Sequence, residues 1–351
     1  MSSLDKGSKI VLINRENLIN NISFLRSKVR SKIYPVLKSN AYGHGILNVS
    51  EAIEKYCDGF CVGTIDEAIK VREVSSKNII ILKGTLTKEE DEIALRERFT
   101  PMVYDISDIE KKSKMGVNMF LKIDTGMGRL GILPAEVEKI PTERLKNVIG
   151  LSTHFAYSDI SDKEFTEHQI KVFTETSAKI ERISKKRFLK TMANSAGSIF
   201  LQKAHFDIVR PGIALYGISP IKEDIKKIEP VMTVKARVIS VKDLPTGWGV
   251  GYSRKFITRE KTRVGVLSIG YAQGVLRALS EKTFFKYKNQ NLKSIGFISM
   301  DMCMFICNNV NIQRGDEVLI LGKDENGEIK AQQLADLINT NPYEILCSLG
   351  I

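Results

Sequence analysis

Gly59-Phe60-Cys61-Val62, then Ile65 to Val74, then Ile79-Ile80-Ile81-Leu82 is the stretch on which the fold turns. Two short runs without a polar residue are what strands buried on both faces require, and such strands are parallel ones covered by helices. The segment between them reads as a helix. The same rhythm continues outward. Residues 14 to 30 place Leu18, Ile22, Leu25 and Val29 on one helical face, and Ile33 to Leu37 follows as a strand. Downstream come Thr100 to Tyr104, Val117 to Ile123, Val148 to His154, Arg187 to Met192 and Asp207 to Val209. A long helix, Lys163 to Ser184, separates the sixth strand from the seventh, with Phe165, Val172, Phe173, Ile180 and Ile183 on its buried side.

Eight strands alternating with helices over about 220 residues predict an α/β protein with an N-terminal (β/α)8 TIM-like barrel, a doubly wound sheet being the rival. After Ile221 the pattern becomes mainly β. Met232 to Val241, Arg263 to Ile269, Ser294 to Ile306 and Glu317 to Leu321 read as strands, and Gln332 to Ile338 as one late helix. Met300, Met302 and Met304 alternate with Asp301 and Cys303 in a strand rhythm. The expected division is a barrel over 10–221 and a β domain over 222–351 that includes the segment 1–9.

The chain has 351 residues, 43% hydrophobic and 27% charged, which fits a globular protein and excludes a disordered one. No apolar run reaches the roughly 18 residues of a membrane helix. Nothing at the start resembles a secretory signal. Five cysteines without a Cys-x-x-Cys pair predict reduced thiols in the cytoplasm, with neither disulfides nor a metal site. The net charge of +12 is spread over dispersed lysines, a solvated surface rather than a nucleic-acid stripe.

Chemistry concentrates at the strand ends. Pro35-Val36-Leu37-Lys38-Ser39-Asn40-Ala41-Tyr42-Gly43-His44-Gly45 puts a lysine where barrel active sites lie. A desolvated lysine there would be a nucleophile suited to an aldehyde cofactor, although on spacing alone a lysine capping a strand is the plainer account. Lys122-Ile123-Asp124-Thr125-Gly126-Met127-Gly128-Arg129-Leu130-Gly131 contains a formal G-x-G-x-x-G. Pro134 follows at once and no acid ends the next strand, so a loop holding Arg129 as an anion clamp fits better than a dinucleotide site. Ser152-Thr153-His154, Asn194-Ser195 and Val209-Arg210-Pro211-Gly212-Ile213 each follow a strand, and Ser195 beside Gly212 suits a phosphate. Gly251-Tyr252, Gly270-Tyr271, Ser299-Met300-Asp301 and Pro342-Tyr343-Glu344 stand on turns of the β domain, as acid–base groups or as packing.

Taken in order, these stretches resemble the alanine racemase family, pyridoxal-phosphate enzymes of fold type III, from about Ile33 to Leu349. The resemblance implies a racemase that interconverts L- and D-alanine and supplies D-alanine for peptidoglycan. It implies a homodimer in which each β domain completes its partner's site. By matching motifs, Lys38 holds the cofactor's aldehyde carbon. Tyr42, Ser195, Tyr343 and the amides of Gly212 and Ile213 hold its phosphate. Arg210 faces the ring nitrogen with His154 behind it, and Arg129 lies near the substrate carboxylate, supported by Lys122 at an often carbamylated position. Tyr252 of the other subunit is the second base, Met300 offers its amide to the substrate, and Tyr271 lines the entry. Three departures stand out: Gln273 where the family has aspartate, Phe297 where it has arginine, and no Arg-Val-Pro-Arg ending. Broader specificity towards serine or lysine, or a decarboxylase of the same fold, are the alternatives. The decarboxylase would want a cysteine near Tyr252, and none is adjacent.

Overall fold

The computed structural model describes residues 2–5, 9–157, 159–221 and 225–351. The boundary expected at 222 lies outside the described residues. The chain divides into two compact units, one of residues 18–41 and 46–229, the other of 1–17, 42–45 and 230–351. In the first, eight parallel strands form one sheet. In chain order they are Lys32–Ile33, Gly59–Val62, Asn78–Ile81, Thr100–Val103, Met119–Lys122, Val148–Ser152, Leu189–Thr191 and Ile208–Val209. The sheet closes because the first strand pairs on both sides. Val36 N–H donates to the Pro211 carbonyl at 2.9 Å, and Leu37 N–H to that of Cys61 at 2.7 Å. Every strand candidate falls within a residue or a few of an observed strand, because burial on both faces leaves runs such as Ile79-Ile80-Ile81 with no polar position.

The helix Lys163–Ser184 starts at Asp162, whose carboxylate accepts from the Phe165 N–H at 2.9 Å. It buries Ile170, Phe173, Ser177 and Ile180 on one face. The polar Gln169 is buried on the same helix.

The second unit is a nine-stranded sheet in which Met232–Leu244 is central, pairing with Lys9–Ile13, Thr262–Leu267 and Glu317–Asp324. Residues 10–17, expected in the barrel, therefore belong here. Lys9–Ile13 finds its hydrogen-bond partners on Met232–Leu244. The strand expected over Ser294 to Ile306 is two, Gln290–Ile295 and Cys303–Ile306. Gly296 takes φ +66°, and a turn closes between Ser299 and Met302 at 3.0 Å, which lifts Met300 out of the sheet. A second late helix, Pro342–Leu349, follows Ala331–Leu337. Among the described residues no helix is long and apolar enough to cross a membrane.

Candidate active site

Lys38 leaves the first barrel strand and is followed by four residues, Ser39 to Tyr42, with φ between +52° and +55°. A left-handed turn of non-glycine residues costs roughly 1–2 kcal/mol per residue, so something must hold it. Ala41 N–H donates to the Leu37 carbonyl at 2.8 Å, and Ile46 N–H to the Asn40 side chain at 2.9 Å. The Glu67 carboxylate accepts from Asn40 N–H at 3.2 Å and from Gly63 N–H at 2.7 Å. Gly63 ends the neighbouring strand, and a Cβ there would lie 3.3 Å from that of Lys38. Glu67 thus ties the lysine's turn to the next strand end. The Lys38 side chain is exposed in the single chain, so the desolvation expected from its strand-end position is not supplied by this chain's own packing.

Further along the sheet, Asp124 organises the Arg129 loop. One carboxylate oxygen accepts from the N–H groups of Gly126, Met127 and Gly128 at 2.9, 2.8 and 3.1 Å, the other from that of Arg129 at 3.1 Å. Burial alone would raise its pKa, but the four donors hold it below the ordinary carboxylate value. Gly131, at φ +134°, is required because a Cβ would meet the Asp124 backbone nitrogen at 2.5 Å. The loop is an anion clamp anchored at its root, with no helix behind it such as a dinucleotide fingerprint needs.

Lys122 is buried at the end of the same strand. Burial first, then the charges of Arg210, Arg129 and Lys38, pull its ammonium down to about 7 against the opposing Asp124. The protein crowding His154, joined by Lys122 and Arg210, holds that imidazole well below its usual value, hence neutral. Arg210 is buried and directs its guanidinium to the Thr153 carbonyl at 2.7 Å and to the Thr191 hydroxyl. Its bonds go to these two groups, with His154 close enough to feel its charge.

Ser195 opens the short helix Ser195–Phe200, and its Oγ accepts from Gly212 N–H at 2.9 Å and Ala214 N–H at 3.2 Å. Its own O–H remains to donate. Gly212 therefore turns its N–H to Ser195. The N–H of Ile213 opens the following turn and has no acceptor among the described residues.

Composition and spacing did not point to Gln169. Its side-chain N–H₂ donates to the Thr125 hydroxyl at 3.1 Å and the His154 carbonyl at 3.2 Å, and its oxygen accepts from Ala156 N–H at 3.0 Å. One buried amide on the long helix joins the Arg129 loop to the His154 loop.

The remaining residues lie in the second unit. The rings of Tyr42 and Tyr343 are 5.7 Å apart. Tyr252 is 73% exposed and Met300 56%, with Tyr271 also exposed. Phe297, where the resemblance places an arginine, lies under two cations, with Arg277 4.6 Å and Lys255 5.7 Å from the ring centroid. Among the described residues no group of three or more His, Cys, Asp or Glu gathers as a metal site.

Family models for the alanine racemase N-terminal and C-terminal domains match residues 13–220 and 231–351. The alanine racemase of Aquifex aeolicus is 34% identical over 346 residues, 97% of this chain and 96% of that one. That of Carboxydothermus hydrogenoformans is 34% identical over 353 residues, 96% of each. Among solved structures, the alanine racemase of Bartonella henselae with covalently bound pyridoxal phosphate superposes with a TM-score of 0.90 at 29% identity, covering 98% of both chains. The enzyme from Streptomyces lavendulae gives 0.92 at 27%, covering 98% of this chain and 95% of that one.

Proposed function

This chain belongs to the alanine racemase family, and from that premise we propose how its own residues interconvert L- and D-alanine. The enzyme is an amino-acid isomerase that works with pyridoxal 5′-phosphate. The observation that carries the reading is the excess of positive charge at the strand ends. Lys38, Lys122, Arg129 and Arg210 act on one another there, and the one carboxylate among them, Asp124, already accepts four N–H donors. Such a cup fits a ligand pair that brings a phosphate, a phenolic oxygen and a carboxylate. The Ser195 hydroxyl and the Ile213 N–H suit the phosphate, together with Tyr42 and Tyr343. Lys38 would hold the aldehyde carbon and Arg210 would face the ring nitrogen.

When bound, pyridoxal 5′-phosphate withdraws electrons from the substrate's Cα and acidifies its proton. Arg210, a cation that cannot give up its proton, keeps the ring nitrogen unprotonated and so restrains side reactions. Inversion needs the proton removed from one face and returned on the other, and one base per face is the simplest arrangement. Lys38 serves one face and Tyr252 of the partner subunit the other. A phenol with a reference pKa near 10 acts as a base only beside cations, which this cup supplies. A shared site requires a dimer. Support comes from large hydrophobic side chains exposed on loops of each unit, Leu86, Leu133 and Tyr157 on the barrel and Trp248, Tyr252 and Met300 on the β unit. Met300 would offer its N–H to the substrate carboxylate, with Tyr271 at the entry. Lys122, with an ammonium near 7, has enough neutral amine to take up CO₂, and the resulting carbamate would brace Arg129. The product D-alanine would serve peptidoglycan synthesis in the cytoplasm, where five free thiols are at home.

The test is a visible absorption scan of the purified enzyme, followed by borohydride reduction and mass mapping. Cofactor mass on Lys38, with absorbance and racemisation both lost in Lys38→Ala, is expected. Cofactor mass on another residue, or full racemisation by Lys38→Ala, would overturn the assignment.

A further inference from the structure

We propose that Gln273 is a positioning residue that latches the Tyr271 turn to the Met300 loop and so aims the Met300 N–H. This rests on the reading above that Met300 meets the substrate carboxylate.

The Gln273 side-chain oxygen accepts from Gly270 N–H at 2.9 Å, which closes the turn onto itself. Its nitrogen donates to the Asp301 carboxylate at 2.9 Å, across to the other loop. Between these two bonds the backbones meet directly. Tyr271 N–H donates to the Ser299 carbonyl and Ala272 N–H to that of Met300, each at 3.0 Å. The approach is so close that a Cβ on Gly270 would lie 2.3 Å from the Ser299 oxygen and 2.4 Å from that of Met300. The other side of the Met300 loop is closed by Ser299, whose N–H donates to the Met302 carbonyl at 3.0 Å and whose Oγ accepts from Met302 N–H at 3.2 Å.

The Ser299 carbonyl and the Met300 N–H belong to one planar trans peptide and point in opposite directions. Once Tyr271 N–H captures that carbonyl, the Met300 N–H must face away from the turn. The aim of that N–H is therefore set by the turn, and the turn is held by Gln273.

An amide is needed because one end must accept and the other donate. A carboxylate at position 273 would still accept from Gly270, but its second oxygen would face the Asp301 carboxylate at hydrogen-bond distance. The aspartate that the resemblance places here could not make this link to Asp301.

The experiment uses the holoenzyme with Gln273→Glu, Asp301→Asn and the double variant that carries both. In the double variant the polarity of the bond is reversed, with the new amide at position 301 donating to the new carboxylate at position 273. Gln273→Glu is expected to raise KM for alanine about fivefold, the scale of one like-charge contact in a solvated site, with kcat nearly unchanged. Asp301→Asn and the double variant are expected to show the wild-type KM. Hydrogen exchange at the Tyr271 and Ala272 amides is measured alongside, and should quicken in Gln273→Glu and recover in the double variant. Unchanged exchange in Gln273→Glu, or no recovery in a folded double variant, overturns the latch. Exchange that quickens and recovers while KM stays fixed removes Met300 from the substrate site, and so overturns the reading on which the latch depends.

Discussion

Asp124→Asn tests the site at the point where one side chain does most. The amide can keep an oxygen towards Gly126, Met127 and Gly128, but its nitrogen then replaces the oxygen that accepts from Arg129 N–H at 3.1 Å. Two donors face each other. One hydrogen bond to a charged acceptor, about 1.5–3 kcal/mol, is lost, and the other three weaken as the acceptor becomes neutral. A net cost of about 2–3 kcal/mol at the root of the clamp corresponds to roughly 30- to 150-fold in kcat/KM if Arg129 must be in place at the transition state. Lys122 loses the charge that opposes its cationic neighbours, so its ammonium should fall further below about 7. The assay is racemisation followed by circular dichroism in both directions. The two must fall together, because enantiomers are equal in free energy. Melting temperature should fall by roughly 2–4 °C per kcal/mol. Asp124 has a depressed folded pKa, so its stabilising contribution is full above the ordinary carboxylate range and fades as pH falls through the folded value. The gap in melting temperature between wild type and variant should therefore narrow on acidification. Activity within about threefold of wild type would refute the claim that Asp124 positions Arg129.

Tyr252→Phe removes a hydroxyl and keeps the ring. Net racemisation should fall on the order of 10² to 10⁴, while α-proton exchange in heavy water persists with D-alanine far better than with L-alanine; near-normal exchange on both enantiomers would make Tyr252 mere packing. Mixed chains of Lys38→Ala and Tyr252→Phe should recover activity through one intact hybrid site, and absence of recovery in demonstrated heterodimers would count against a shared site. Supplying ¹³C-bicarbonate should yield a carbamate resonance that disappears in Lys122→Arg, an arginine being unable to offer a neutral amine at this pH; a spectrum indifferent to that substitution would exclude Lys122 as the carbamate carrier.

The eight barrel strands could be read from the sequence because burial on both faces removes every polar residue from runs such as Ile79–Ile81. The strand-end residues followed from them. The supports of the site were not readable. Glu67 and Gln169 lie on helices and look like ordinary surface residues until their partners, Gly63 and Asn40 for one and Thr125 and Ala156 for the other, come near in space. The left-handed run from Ser39 to Tyr42 leaves no mark, because nothing in Ser-Asn-Ala-Tyr requires a positive φ. Met300 was misread as part of a strand because alternation across Ser294 to Ile306 survives the interruption. Gly296 and the Ser299 turn decide there, and both are backbone events.

The placement of Lys9–Ile13 beside Met232–Leu244 has a consequence during synthesis. Its hydrogen-bonding partners are more than two hundred residues away and leave the ribosome long after it. At about 5–20 residues per second the first-made strand waits roughly 10 to 45 s with its edge unpaired, while the whole barrel is translated. A second partnership of the same unit waits longer, since Gly43 accepts a hydrogen bond from Ile351 N–H at 2.7 Å. The barrel's strands are made consecutively and can pair as they emerge. The nascent chain thus carries an exposed apolar segment, Val11, Leu12 and Ile13, ahead of a folding domain for most of its time on the ribosome. That interval, rather than the finished enzyme, is where this architecture depends most on chaperones.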